Sequence, residues 1–216
     1  MNQLLTSMFA LAVASVTAVS AHAQEIKGDA KAAEQKIAMC IGCHGIKGYQ
    51  ASFPEVYRVP MISGQYIVSA LNAYKKGERK HPTMRGIADS LSEQDMADLG
   101  AYYEQHAKVE PVTKTPKAPD AKVAALLQKG ACISCHGDNF NKPIDPSYPK
   151  LAGQHKDFLF VALKSYKTEN QSTWGRNNGV MGGIAKQFSN AELKAMSAYI
   201  ASLDGEMKVV PQSKFR

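Results

Sequence analysis

Between Tyr66 and Lys75 the apolar residues Ile67, Ala70, Leu71 and Tyr74 recur at the spacing of one helix face, and Leu159, Ala162, Leu163 and Tyr166 repeat it between Phe158 and Lys167. Two further stripes follow, Met96, Leu99 and Tyr103, then Leu193, Met196, Ile200 and Leu203. Each opens on a capping-box-like start, Ser92-x-x-Asp95 and Ser189-x-x-Glu192. Upstream, "DAKAAEQKIA" and "DAKVAALLQKG" are rich in helix formers and begin with an Asp suited to N-capping. They run into "MCIGCHG" and "ACISCHG". No segment alternates in the manner of a strand, and Gly, Pro, Asn and Lys fill the intervals, so the pattern predicts an all-α protein.

The elements come twice. Cys40-x-x-Cys43-His44-Gly45 matches Cys132-x-x-Cys135-His136-Gly137, and "YIVSALNAYK" matches "FLFVALKSYK", both at an offset of 92. "PMISGQ" matches "PKLAGQ" at 89, and "MRGIADSLS" matches "MGGIAKQFS" at 97. A drifting offset between fixed elements describes two homologous units with small loop insertions. The proline- and lysine-rich "KVEPVTKTPKAP" reads as a semi-extended linker. The expected layout is a signal peptide over 1–23, domains over 24–107 and 120–216, and a linker over 108–119. Domains of about 90 residues are small for a self-sufficient core, and a large apolar cofactor at the centre of each would help.

The N-terminus changes the setting. An apolar run from Phe9 to Val19 leads to Ala21-His22-Ala23, an export cleavage pattern, although no Lys or Arg precedes it. The run is short for a retained membrane anchor and Thr17 interrupts it. Charge is uneven: the chain has 26 Lys and Arg against 19 Asp and Glu, and the whole surplus of 7 falls after Val112. A basic second half suits an acidic protein surface or anionic headgroups. Export argues against a nucleic-acid partner.

All 4 cysteines lie in the two motifs. C-x-x-C-H is the attachment signature of haem c. Two thiols one helical turn apart can form thioethers to the two vinyl groups on one porphyrin edge, and the adjacent histidine then lies beneath the iron. A four-thiolate zinc site would tie the repeats together but leave His44 and His136 unused. A redox dithiol is expected after a strand, and none precedes either motif. Disulfides at this spacing are strained and need no histidine. Covalent haem at Cys40 and Cys43, and again at Cys132 and Cys135, is the expected chemistry.

A ligating histidine needs a partner on its other ring nitrogen. Pro60 and Pro149, each before a shared Gly-Gln, are expected to supply it as backbone carbonyls. Met84 and Met181, each followed by x-Gly-Ile-Ala just before the last helix, are the expected sixth ligands opposite His44 and His136. A thioether favours Fe(II) and raises the potential. With both axial positions filled, the iron changes charge without admitting a substrate. His81 and His155 are the rival ligands and, with His106, read better as exposed loop residues; Met39, Met61, Met96, Met196 and Met207 read as packing or surface. Tyr102 and Tyr199 match between repeats and are expected to pack where first and last helices cross. Trp174 lies in an insertion of the second repeat, without an assigned role.

On these motifs the chain resembles the exported dihaem class I cytochromes c of the cytochrome c4 type, over nearly all of its mature length. The resemblance implies two tandem class I cytochrome c domains, each wrapped around a covalent haem c, with propionates near the domain interface. It also implies a periplasmic carrier of single electrons, soluble or loosely attached to the membrane. Its implied partners are redox proteins: a quinol-oxidising complex or dehydrogenase upstream, a terminal oxidase or reductase downstream. Dihaem subunits of dehydrogenases, such as a flavoprotein oxidising sulfide, share the architecture, and a dihaem peroxidase is the enzymatic alternative. One departure is the longer segment between His44 and Pro60, which carries Tyr49, Phe53 and Tyr57.

Overall fold

The computed structural model describes residues 26–44, 63–106, 112, 115–168 and 172–206. The expected signal peptide, the segment with Pro60 and most of the linker lie outside the described residues. The first half contains α1 (Ala30–Ala33), α2 (Ala38–His44), α3 (Gly64–Lys75), β1 (Arg79–Lys80), α4 (Pro82–Asp89) and α5 (Glu93–His106). The second contains α6 (Ala121–Lys129), α7 (Ile133–His136), a 3-10 turn over Asp138–Phe140, α8 (Lys156–Lys167), β2 (Gly175–Arg176), α9 (Gly179–Ala185) and α10 (Asn190–Ser202). No helix among the described residues is long and apolar enough to cross a membrane.

The expected helical faces are the ones that pack. In the first half α5 lies against α1 and α3, and α3 carries α4; in the second α8 lies against α10 and α9, and α10 also meets α6. Met96, Leu99, Tyr102 and Tyr103 join Ala33, Ile37, Ile67 and Leu71 in one cluster. In the second half Leu159, Ile200 and Leu203 pack with Phe140, while Leu193 and Met196 pack with Leu126 and Phe188. Where α3 crosses α5 the backbones meet at two glycines: a Cβ on Gly100 would lie 2.7 Å from the carbonyl oxygen of Gly64. Both expected caps of the last helices are formed. Ser189 and Glu192 close a reciprocal capping box on α10, and the Ser92 N–H donates to Asp95 (2.9 Å) while the Asp95 N–H donates to Ser92 Oγ (3.1 Å).

Two elements differ from the sequence expectation. The first helix does not run unbroken into Cys40. The N–H groups of Glu34, Gln35 and Lys36 bond three residues back, a tightened turn that keeps both Ala33 and Ile37 in the core. The protein also contains a strand pair. β1 and β2 pair antiparallel, Arg79 opposite Arg176 and Lys80 opposite Gly175, and join the two halves. Strands of two residues are too short to show alternation in sequence. Beside them the Asn177 N–H donates to the Glu78 carbonyl, and the Ser63 hydroxyl donates to the Pro146 carbonyl.

Candidate haem sites

The second motif is described in full. α6 ends at Gly130, and Ala131 takes a positive φ of 47° that turns the chain into α7. Cys132 opens this helix, with Cys135 and His136 on its last turn. His136 is 8% exposed, and its Nδ1 lies 3.0 Å from the Pro149 carbonyl oxygen. A carbonyl only accepts, so Nδ1 carries the proton and Nε2 keeps its lone pair in the neutral ring. Burial pushes the His136 pKa down, favouring that neutral form against the opposing bond to Pro149. The Pro149 loop is itself held in place: the N–H groups of Leu151 and Ala152 both donate to the Phe140 carbonyl, at 2.8 and 3.1 Å. Gly137, after the histidine, has φ 71° and ψ −179°. That region is open almost only to glycine, and a Cβ there would lie 1.6 Å from the Lys142 carbonyl oxygen.

In the first motif Cys40, Cys43 and His44 share α2. The His44 Nδ1 is buried, and its expected partner, Pro60, lies outside the described residues. Cys40 is half-buried and packs on the core cluster with Ile41 and Met84. Burial raises the thiol pKa of Cys40 and of Cys132, with a Tyr103 hydrogen bond opposing it at Cys40. All four cysteines are free thiols. Among the described residues no three His, Cys, Asp or Glu side chains converge as a metal cage.

Both methionines sit in the first turn of a short helix just before a long one, half-buried in each case. The same device caps both helices at the methionine itself. The Met84 N–H donates to His81 Nδ1 (3.4 Å), and the Met181 N–H donates to Asn178 Oδ1 (2.9 Å). His81 therefore stands as the N-cap of α4. The loops behind these helices are tied down by equivalent lysines: Lys75 Nζ donates to the Leu91 carbonyl and Lys167 Nζ to the Phe188 carbonyl.

The donor set fits a covalently held haem: unpaired thiols one turn apart, a buried imidazole with Nε2 free of the Pro149 bond, and a glycine that lets the chain turn away beside the histidine. A family model, Cytochrome c, matches residues 121–204. Cytochrome c4 of Stutzerimonas stutzeri is 31% identical over 220 residues, covering 94% of this chain and 100% of the relative. The chain belongs to the cytochrome c4 family. Its cofactor is haem c, at two C-x-x-C-H motifs. The fold agrees: a crystal structure of reduced recombinant cytochrome c4 from Pseudomonas stutzeri superposes with a TM-score of 0.61 at 28% identity, covering 82% of this chain and 99% of that one. A thiosulfate dehydrogenase electron acceptor of Stutzerimonas stutzeri is 28% identical and covers 88% of this chain and 89% of its own.

The structure also gives positions to residues that sequence reading left aside or misplaced. His106 is not simply exposed: it stacks on Tyr102 at 4.1 Å and its Nδ1 bonds the Tyr102 carbonyl at 2.8 Å. Tyr102 packs in the first core and Tyr199 against the second, as expected; the Tyr199 hydroxyl also donates to the Lys117 carbonyl (3.2 Å) and ties the end of the linker to α10. His155 is half-buried at the start of α8. Trp174 is 39% exposed with Lys164 Nζ 5.8 Å from its ring centre. Sequence reading missed Arg79 and Arg176. The signal was present, since each precedes its methionine by five residues.

Proposed function

We propose that this chain is a dihaem electron carrier of the periplasm, built from the domains 24–107 and 120–216 and exported by a cleaved signal peptide over 1–23. The observation that carries the reading is the His136–Pro149 bond in the second of two C-x-x-C-H motifs. It holds the imidazole neutral and oriented, with Nε2 available as the atom that would ligate iron. Haem c supplies a metal that changes charge by one electron. Cys40 and Cys43, and Cys132 and Cys135, would hold it covalently, and His44 and His136 would ligate its iron, with Pro60 in the role of Pro149 for the first motif. Met84 and Met181 would supply the second protein ligand of each iron. Capping by His81 and Asn178 and the lysine ties to Leu91 and Phe188 fix the two methionine helices. With both protein ligands in place the iron would change charge with little rearrangement, which would favour fast transfer and leave no position for a substrate.

Redox proteins are the partners. A quinol-oxidising complex or dehydrogenase as donor, and a terminal oxidase or reductase as acceptor, fit this carrier, with loose membrane association through the basic second half. A second reading, the electron-accepting partner of a dehydrogenase, is favoured by the similarity to a thiosulfate dehydrogenase electron acceptor. Reduced-minus-oxidised spectra with a haem-to-protein ratio test the carrier: two low-spin haems c are expected, and a colourless or five-coordinate protein overturns it. Co-purification with a dehydrogenase, and reduction by it, separates the second reading from the first.

A further inference from the structure

At the offset of 97 that relates the last helices of the two halves, Met96 matches Leu193 and Tyr102 matches Tyr199, and the next position pairs Tyr103 with Ile200. Both of these are 5% exposed. Each sits in the hydrophobic cluster on which the first cysteine of its own motif packs, Tyr103 with Cys40 and Ile200 with Cys132. One equivalent place beside the attachment sulfur thus carries a phenol in the first half and a branched alkyl group in the second.

The phenol lacks an ordinary partner. The Tyr103 hydroxyl is buried, and among the described residues no nitrogen or oxygen bonds it. A buried O–H left unbonded is unfavourable. The polar atom it meets is the Cys40 sulfur, whose thiol pKa a Tyr103 hydrogen bond lowers against the larger effect of burial. No side chain does the same at Cys132. Burial pushes the Tyr103 pKa up, so the phenol stays a donor. A free thiol can donate as well as accept. Attachment of haem c passes the thiol hydrogen to a vinyl carbon, and the thioether sulfur that remains only accepts. Tyr103 is the donor that matches it.

We propose that Tyr103 tunes the first redox centre: its hydroxyl donates to the Cys40 thioether sulfur, a bond that the second centre lacks because Ile200 stands there. A donor at this sulfur draws electron density from the porphyrin edge and disfavours the more positive, oxidised iron. It raises the first potential above the value that an apolar residue would leave, and one hydroxyl breaks the symmetry of the repeat. The proposal rests on the dihaem reading, which the haem-to-protein ratio of the unmodified protein tests separately.

The experiment is an optical redox titration of the holoprotein and its Tyr103→Phe variant, with thermal melts of both. Tyr102→Phe is the control, since Tyr102 is the neighbouring phenol and stacks on His106. His136→Ala removes the second imidazole and tells the centres apart: the low-spin absorbance that remains belongs to the first. Tyr103→Phe is expected to keep two haems and to lower the reduced-to-oxidised ratio of the first centre about twofold at fixed poise. That is the lower end of what one hydrogen bond contributes, and corresponds to about 18 mV for one electron. The second centre should not move, and Tyr102→Phe should move neither. Unchanged potentials in Tyr103→Phe, with only the Tm altered, would reduce the phenol to packing and overturn the proposal. Equal shifts at both centres would overturn its local action at Cys40. If Tyr103→Phe fails to retain both haems, Tyr103→Ile, which carries the residue of the second half, decides by the same criterion.

Discussion

The Nδ1 of His136 lies 3.0 Å from the carbonyl oxygen of Pro149, and the loop carrying that carbonyl is pinned by two N–H donors to Phe140. Orientation of the imidazole is therefore a property of the polypeptide. His136→Ala should keep Cys132 and Cys135 and hence the covalent haem, but about half of the low-spin absorbance should be lost with one axial imidazole. Haem stoichiometry against the visible spectrum checks this. An unchanged spectrum would remove His136 from the ligand set.

Met84 and Met181 occupy equivalent places in helices capped at their own N–H groups. Met84→Ala and Met181→Ala should each leave two attached haems, open one iron to carbon monoxide and lower the potential of that centre. Carbon monoxide difference spectra count the opened sites. One per variant is expected, and two in the double variant; none in either single variant would rule out thioether ligation.

The helices were legible in the sequence because their packing faces are long and periodic. Ile67, Leu71, Met96, Leu99, Leu193 and Met196 are all buried as their spacing demanded. The caps at Asp120, Ser92 and Ser189 were legible because their chemistry is local. The motif cysteines and histidines declared themselves by repetition. What sequence reading missed depends on approach between distant segments. The Gly64–Gly100 crossing, the break between Ala33 and Ala38 and the Arg79–Arg176 pairing have no local signature. His81 was weighed as a ligand because histidine next to a cofactor invites it, and its capping role needs backbone geometry to be seen.

Gly137 has a conformation that side chains do not tolerate, and a Cβ there would collide with the Lys142 carbonyl. Gly137→Ala should destabilise the second half by at least about 1–3 kcal/mol from backbone strain alone. Reduced haem incorporation at Cys132 and Cys135 and a lower Tm are the readouts. An unchanged Tm with full haem incorporation would refute the assignment of strain to Gly137.

Asp95 ties the start of α5 to the first helical segment. Its carboxylate lies 2.8 Å from Lys36 Nζ and also accepts from the Ser92 N–H and hydroxyl. These bonds, led by Lys36, lower its pKa from 3.8 to about 2. A carboxyl group with a depressed folded-state pKa binds protons more readily when unfolded. Its contribution is therefore complete above pH 3.8 and disappears as the pH falls towards about 2. A partly exposed pair of this kind contributes about 0.2–1 kcal/mol, with the cap adding on the order of 1 kcal/mol. Asp95→Asn should lower the Tm at neutral pH and flatten its dependence on pH between 3.8 and about 2. Raising the salt concentration should recover little of the loss, because the Ser92 bonds are local. Thermal melts of both proteins across this acid range decide it: parallel Tm curves would mean that Asp95 carries no linked proton.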